Sequence, residues 1–118
     1  MKDYISLPIG YDPKLANKVD NGCGPSGWKG KLVPDTIYGL SIKLACKIHD
    51  YEYHVGKTLE DKEIADIRFL KNLNLIITHE TKWSKPLNPL RRTRAKTYYL
   101  AVKHGGEEHF LKDKEGIK

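Results

Sequence analysis

The sequence predicts a small all-α domain. Apolar residues recur at steps of three and four in three separate segments, the spacing of a buried helix face. Glycines and prolines gather between those segments, where helices must stop. No stretch alternates apolar and polar residues for long enough to read as a strand. The architecture expected is two antiparallel core helices, preceded by a glycine-rich loop and followed by a third, C-terminal helix. A chain of 118 residues suits one domain, 1–118, with one modest core.

Residues 1–20 read as an irregular N-terminal arm. Residues 21–34, NGCGPSGWKGKLVP, carry four glycines and two prolines, so they read as a loop using backbone conformations that other residues resist. The first core helix is expected over 35–56. Asp35 or Thr36 can cap it, Ile37, Leu40, Leu44, Ile48, Tyr51 and Val55 form its apolar stripe, and Gly56 ends it. Thr58 opens the second core helix, 58–78, with Asp61 three residues on in a near capping box. Leu59, Phe69, Leu70, Leu73 and Ile77 share one of its faces. Residues 79–89, HETKWSKPLNP, form a connector broken by two prolines. The third helix is expected over 90–104, with Ala95, Tyr98, Ala101 and Val102 inward and Gly105 and Gly106 stopping it. The charged tail, 111–118, is expected to fray.

Lys and Arg outnumber Asp and Glu by 21 to 15, a formal charge of +6. That favours an anionic partner without choosing among nucleic acid, an anionic membrane surface and an anionic substrate. No apolar run is long enough to span a bilayer. The N-terminal stretch has no apolar h-region, so no secretory signal is visible. The two cysteines, Cys23 and Cys46, can make one disulfide or none, which leaves the compartment open. A disulfide would point to a secreted or virion-associated protein, and its absence to a cytoplasmic one.

The run CKIHDYEY, 46–53, concentrates reactive side chains. At about 100° per residue, His49 falls off the centre of the first helix's stripe, near Cys46 and Tyr53, and Asp50 points about 100° away from it. His49 and Asp50 therefore have different targets. On the second helix Asp66 lies mid-stripe among Leu59, Phe69, Leu70, Leu73 and Ile77. An ionised carboxylate buried there needs a partner. His49 across the two helices would serve, with Asp66 fixing the imidazole tautomer and the outer ring nitrogen left free to take a proton from water. Tyr53, Tyr98 and Tyr99 are candidate hydrogen-bond donors to the carboxylate. A core lysine or arginine such as Arg94 is the alternative partner for Asp66. Asp50 suits another task, because loop carbonyls plus a carboxylate are typical calcium ligands.

Cys46-x-x-His49-Asp50-x-x-Tyr53, following a Cys23-Gly24-Pro25-Ser26-Gly27 loop, resembles the secreted phospholipase A2 superfamily. Ala65-Asp66-Ile67-Arg68-Phe69 resembles the Ala-Asp-x-x-Phe run of its compact viral, phage and bacterial members. The resemblance covers roughly residues 21–77. It implies a phospholipase A2-like domain in which 21–34 is the calcium loop. Ca2+ would be held by the carbonyls of Gly22, Gly24 and Ser26 and by Asp50. The Gly24 N–H would face the oxyanion, and a Cys23–Cys46 disulfide would tie loop to helix. His49, oriented by Asp66, would activate water for hydrolysis of the sn-2 ester of glycerophospholipids. The implied partner is a phospholipid membrane surface, anionic given the charge, with Trp28 and Trp83 as interface residues. Ser26 stands where the family loop has glycine, and most family disulfides are missing.

Plainer readings exist for each feature. The glycines can be turn formers, the cysteines free thiols, and the tryptophans packing residues. His54, His79, His104 and His109 have no metal-ligand spacing, and His104 suits a helix C-terminus. Two rival functions follow. One is a catalytically inactive, phospholipase-like structural protein of a phage or secretion system. The other is a basic nucleic-acid-binding module using RRTRAK, 91–96.

Overall fold

A computed structural model describes residues 2–20, 34–82, 84–107 and 110–111. Among them are four α-helices and a two-stranded antiparallel hairpin: α1 (Pro13–Val19), β1 (Thr36–Ile37), β2 (Leu40–Ser41), α2 (Lys43–Val55), α3 (Leu59–Glu80) and α4 (Asn88–Gly105), with a 3₁₀ turn, Lys85–Leu87, leading into α4. The expected all-α, phospholipase A2-like arrangement of two core helices and one C-terminal helix is therefore corrected. The arm holds a helix of its own, and the start of the expected first helix is a hairpin.

The hairpin has a local cause. Tyr38 and Gly39 both adopt left-handed backbone, at φ 46° and 80°. Two such residues turn a chain back on itself with the twist that paired strands need. Thr36 pairs with Ser41 and Ile37 with Leu40. Ile37 and Leu40, counted at the sequence level as helix stripe, are instead neighbours across a ladder. Ile37 still reaches the core, and α2 begins only at Lys43.

Arg91 on α4 holds the hairpin down. It is 3% exposed, donates from Nη2 to the Tyr38 carbonyl at 2.8 Å and from Nε to that of Ile37 at 3.3 Å, and reaches the Ser84 carbonyl at 2.9 Å. Arg92 donates to Asn74 and Thr78, and Arg94 to the Tyr38 hydroxyl. The arginines of the 91–96 run are thus bonded within the molecule.

The arm is seated just as specifically. Asp12 caps α1 and Pro13 occupies its first turn, where a missing N–H costs nothing. Tyr51 of α2 donates to the Gly10 carbonyl at 3.1 Å. Asn72 of α3 bonds both backbone groups of Ser6, at 2.8 and 3.0 Å. The Thr58–Asp61 capping box forms with both reciprocal bonds, at 3.1 and 3.2 Å, so α3 starts one residue after it.

Helices α2 and α3 pair through contacts that run in opposite chain order: Tyr53 meets Asp66, and His49 meets Asp66 and then Phe69. They are antiparallel, and α4 packs on α3. One core joins Ile37, Ile48, Phe69, Leu73, Ile77 and Ala95, among others, and a smaller one holds Tyr53, Ala65 and Phe110. Val55 and Leu59, assigned inward from spacing, are exposed, since both lie at the helix ends flanking the α2–α3 turn. No helix among the described residues is long and apolar enough to cross a membrane.

Candidate functional site

Four side chains meet where α2 crosses α3. His49 Nε2 and Asp66 Oδ1 are 2.8 Å apart. The Tyr53 hydroxyl donates to the same oxygen at 2.7 Å. Lys62, one turn before Asp66, places Nζ 2.6 Å from Oδ2. Both carboxylate oxygens are thus engaged, as burial of an ionised group demands. His49 is 4% exposed and Asp66 1%. The imidazole lies against the rings of Tyr53 and Phe69, at centroid distances of 4.2 and 4.7 Å.

The electrostatics assign the protons. Burial dominates at His49 and lowers its pKa below the ordinary 6.5; Asp66 acts to raise it, and the Lys62 charge adds to the lowering. For Asp66, burial acts to raise the pKa, but the hydrogen bond and charge interaction with His49 and the hydrogen bonds from Lys62 and Tyr53 outweigh it and hold the group below its ordinary value. The state consistent with both directions is ionised Asp66 compensated by the Lys62 ammonium, with a neutral imidazole. A neutral His49 beside an ionised Asp66 carries its proton on Nε2, and the lone pair then lies on Nδ1. Among the described residues no hydrogen-bond partner occupies Nδ1. The Tyr53 phenol is held protonated far above its usual range by burial, then by Asp66, and more weakly by Asp50.

The other residues singled out in the sequence fall as follows. Tyr98 donates to the Thr36 carbonyl at 3.4 Å, and Tyr99 lies under the Lys103 ammonium, 5.9 Å from its ring centre. Tyr53 is thus the tyrosine that meets Asp66. Arg94 bonds Tyr38 instead of the carboxylate. Asp50 is half-buried on α2, and its charge is felt at Tyr53. Cys46 is buried and disulfide-bonded. Gly22, Cys23, Gly24, Ser26, Trp28 and Trp83 lie outside the described residues, so the calcium loop, the oxyanion N–H and the interface tryptophans have no described geometry.

Of the calcium ligands implied by resemblance, Asp50 alone is described. It is a hard oxygen donor of the type calcium takes. Among the described residues no group of three or more His, Cys, Asp or Glu side chains stands as a metal site.

Sequence reasoning missed Lys62, Arg68 with Glu52, and Phe110. Lys62 precedes Asp66 by four, the spacing that puts two side chains on one helix face, so its signal was present. Arg68 Nε faces Glu52 Oε1 at 2.9 Å, a partly buried ion pair whose angle falls short of an aligned hydrogen bond. Burial pushes the Glu52 carboxyl up despite that arginine. Phe110, just before the expected frayed tail, is fully buried edge-on to Tyr53 at 5.2 Å. No protein-family model, curated protein or solved structure matches the chain.

Proposed function

We propose that the chain is a calcium-dependent hydrolase of the sn-2 ester of glycerophospholipids, acting at an anionic membrane surface. The observation that supports this most is the buried contact of His49 Nε2 with Asp66 Oδ1, because it leaves Nδ1 as the basic atom. Water held at Nδ1 loses its proton to the imidazole as its oxygen attacks the ester carbonyl carbon. Asp66 stabilises the imidazolium that forms and keeps the ring from turning. When the tetrahedral intermediate collapses, the bond from the carbonyl carbon to the glycerol oxygen breaks. His49 returns the proton to that oxygen, giving a fatty acid and a lysophospholipid. No covalent acyl-enzyme is needed. Bound at Asp50 and the carbonyls of Gly22, Gly24 and Ser26, calcium would supply Lewis-acid polarisation of the ester carbonyl and an anchor for the lipid phosphate.

The test is fatty-acid release from mixed phospholipid vesicles, with calcium or with chelator. Release that needs calcium and falls roughly 10²- to 10⁴-fold in His49→Ala, the range typical for loss of a general base, is expected. Absence of release on both anionic and zwitterionic vesicles contradicts the proposal. A second reading draws on the near-complete burial of His49. Here the network is a buried polar brace in a catalytically silent structural protein, and His49→Ala lowers stability while the wild type hydrolyses nothing.

A further inference from the structure

Lys62 is a described residue that the proposed chemistry leaves without a role. It is 6% exposed, and a buried ammonium persists only when paired and hydrogen-bonded. Among the described residues its three hydrogen-bond partners are Asp66 Oδ2 at 2.6 Å and the carbonyls of Val102 at 3.3 Å and Lys103 at 3.2 Å. Those carbonyls lie in the last turn of α4, the negative end of the helix dipole, where a cation is favoured. The ammonium therefore joins two elements: a carboxylate on α3 and the end of a helix 40 positions further along the chain.

Asp66 must present one oxygen to His49 and Tyr53 together. A carboxylate rotates about its terminal bond with a broad, soft preference. What stops that rotation is a partner on the far oxygen, and Lys62 is the charged partner there. We propose that Lys62 is a positioning residue of the site, clamping Oδ2 so that Oδ1 stays on Nε2 of His49, with the end of α4 as the anchor of the clamp. The C-terminal helix, outside the stretch that carries the family resemblance, then becomes part of the site's assembly. The kinetic consequence rests on the hydrolase reading above; the clamp itself does not.

The experiment compares the full chain with Lys62→Met, Asp66→Asn and the double variant, using vesicle hydrolysis and the ¹⁵N resonances of the His49 ring. Outer partners that orient a metal-ligating imidazole typically contribute about 10- to 100-fold, and the same scale is expected for a partner that orients a general base. A fall of that size in kcat with KM unchanged is expected for Lys62→Met, with no further loss when it is added to Asp66→Asn. The wild-type ring is expected as the single tautomer with Nε2 protonated, and Lys62→Met as a mixture. Wild-type kcat together with an unchanged tautomer in Lys62→Met overturns the clamp, and so do losses from the two single variants that multiply in the double. If the wild type hydrolyses no ester, the hydrolase reading falls and the ring spectrum still decides the clamp. Should Lys62→Met not fold, Lys62→Gln, which keeps a donor and loses the charge, takes the same two readouts. A mixed tautomer in it supports the clamp, and an unchanged one with undiminished turnover overturns it.

Discussion

Asp66 occupies the middle of the inward face of α3, a position where leucine would pack at no electrostatic cost. Its carboxylate is sustained by three donors on two helices: His49 and Tyr53 on one oxygen, Lys62 on the other. Because Tyr53 donates to an ionised group, removing its hydroxyl costs more than an average neutral bond. Tyr53→Phe is expected to lower unfolding free energy by about 1.5–3 kcal/mol, read from denaturant melts, while leaving His49 on Asp66 and so preserving much of any hydrolysis. An unchanged melt would mean that the hydroxyl adds nothing to the carboxylate's stability. At this scale the sequence was most legible: a polar residue in mid-stripe announces a partner, and the helical wheel pointed to His49. What the wheel could not supply was the division of labour among the donors. Tyr98 and Tyr99 had the right chemistry, but their helix delivers one to the hairpin and the other to Lys103.

The elements that carry these residues meet at Gly56. It ends α2, and the chain must turn there within three residues to start α3 at Leu59. A Cβ at this position would come within 2.9 Å of the Glu52 carbonyl, 3.1 Å of the Phe110 ring and 3.2 Å of the Asp61 Cβ. Gly56→Ala is therefore expected to destabilise by about 1–3 kcal/mol through overpacking, seen as an earlier thermal midpoint. A gain in stability would mean that the turn has slack. Helix α3 could be read from Thr58 onwards because its capping box is written in four consecutive residues. The hairpin could not. Its strands are two residues each, too short to show alternation, and Ile37 and Leu40 happen to continue the three-and-four spacing of α2. The deciding signal was Tyr38-Gly39, a pair able to take left-handed backbone. Likewise Asp12-Pro13 marks a helix start that the low periodicity of the arm concealed.

Across the whole molecule, α2, α3 and α4 converge on one buried charge system, and its proton balance couples the site to folding. The Asp66 pKa is lower folded than unfolded, so its contribution is present above its ordinary 3.8 and is lost as pH falls through the folded value. The His49 pKa is also lower folded than unfolded, so the unfolded chain takes up the proton first and stability declines as pH drops below 6.5. The signs of these two groups agree: their joint contribution to stability is expected to be flat above pH 6.5 and to fall in two stages on acidification. His49→Gln should remove the upper stage, measured as unfolding free energy against pH; a wild-type profile level down to pH 4 would contradict this balance. Phe110 closes the arrangement by packing on Tyr53 from beyond α4, at the last position before the tail expected to fray. The account as a whole stands on His49 being a working base and not merely a buried brace. The most direct measurement uses a phospholipid with distinguishable acyl chains at sn-1 and sn-2, presented in anionic vesicles with calcium. The wild type is expected to release the sn-2 chain alone, and His49→Gln, at unchanged fold, to release neither. Equal release by both proteins, or none by the wild type, would contradict it.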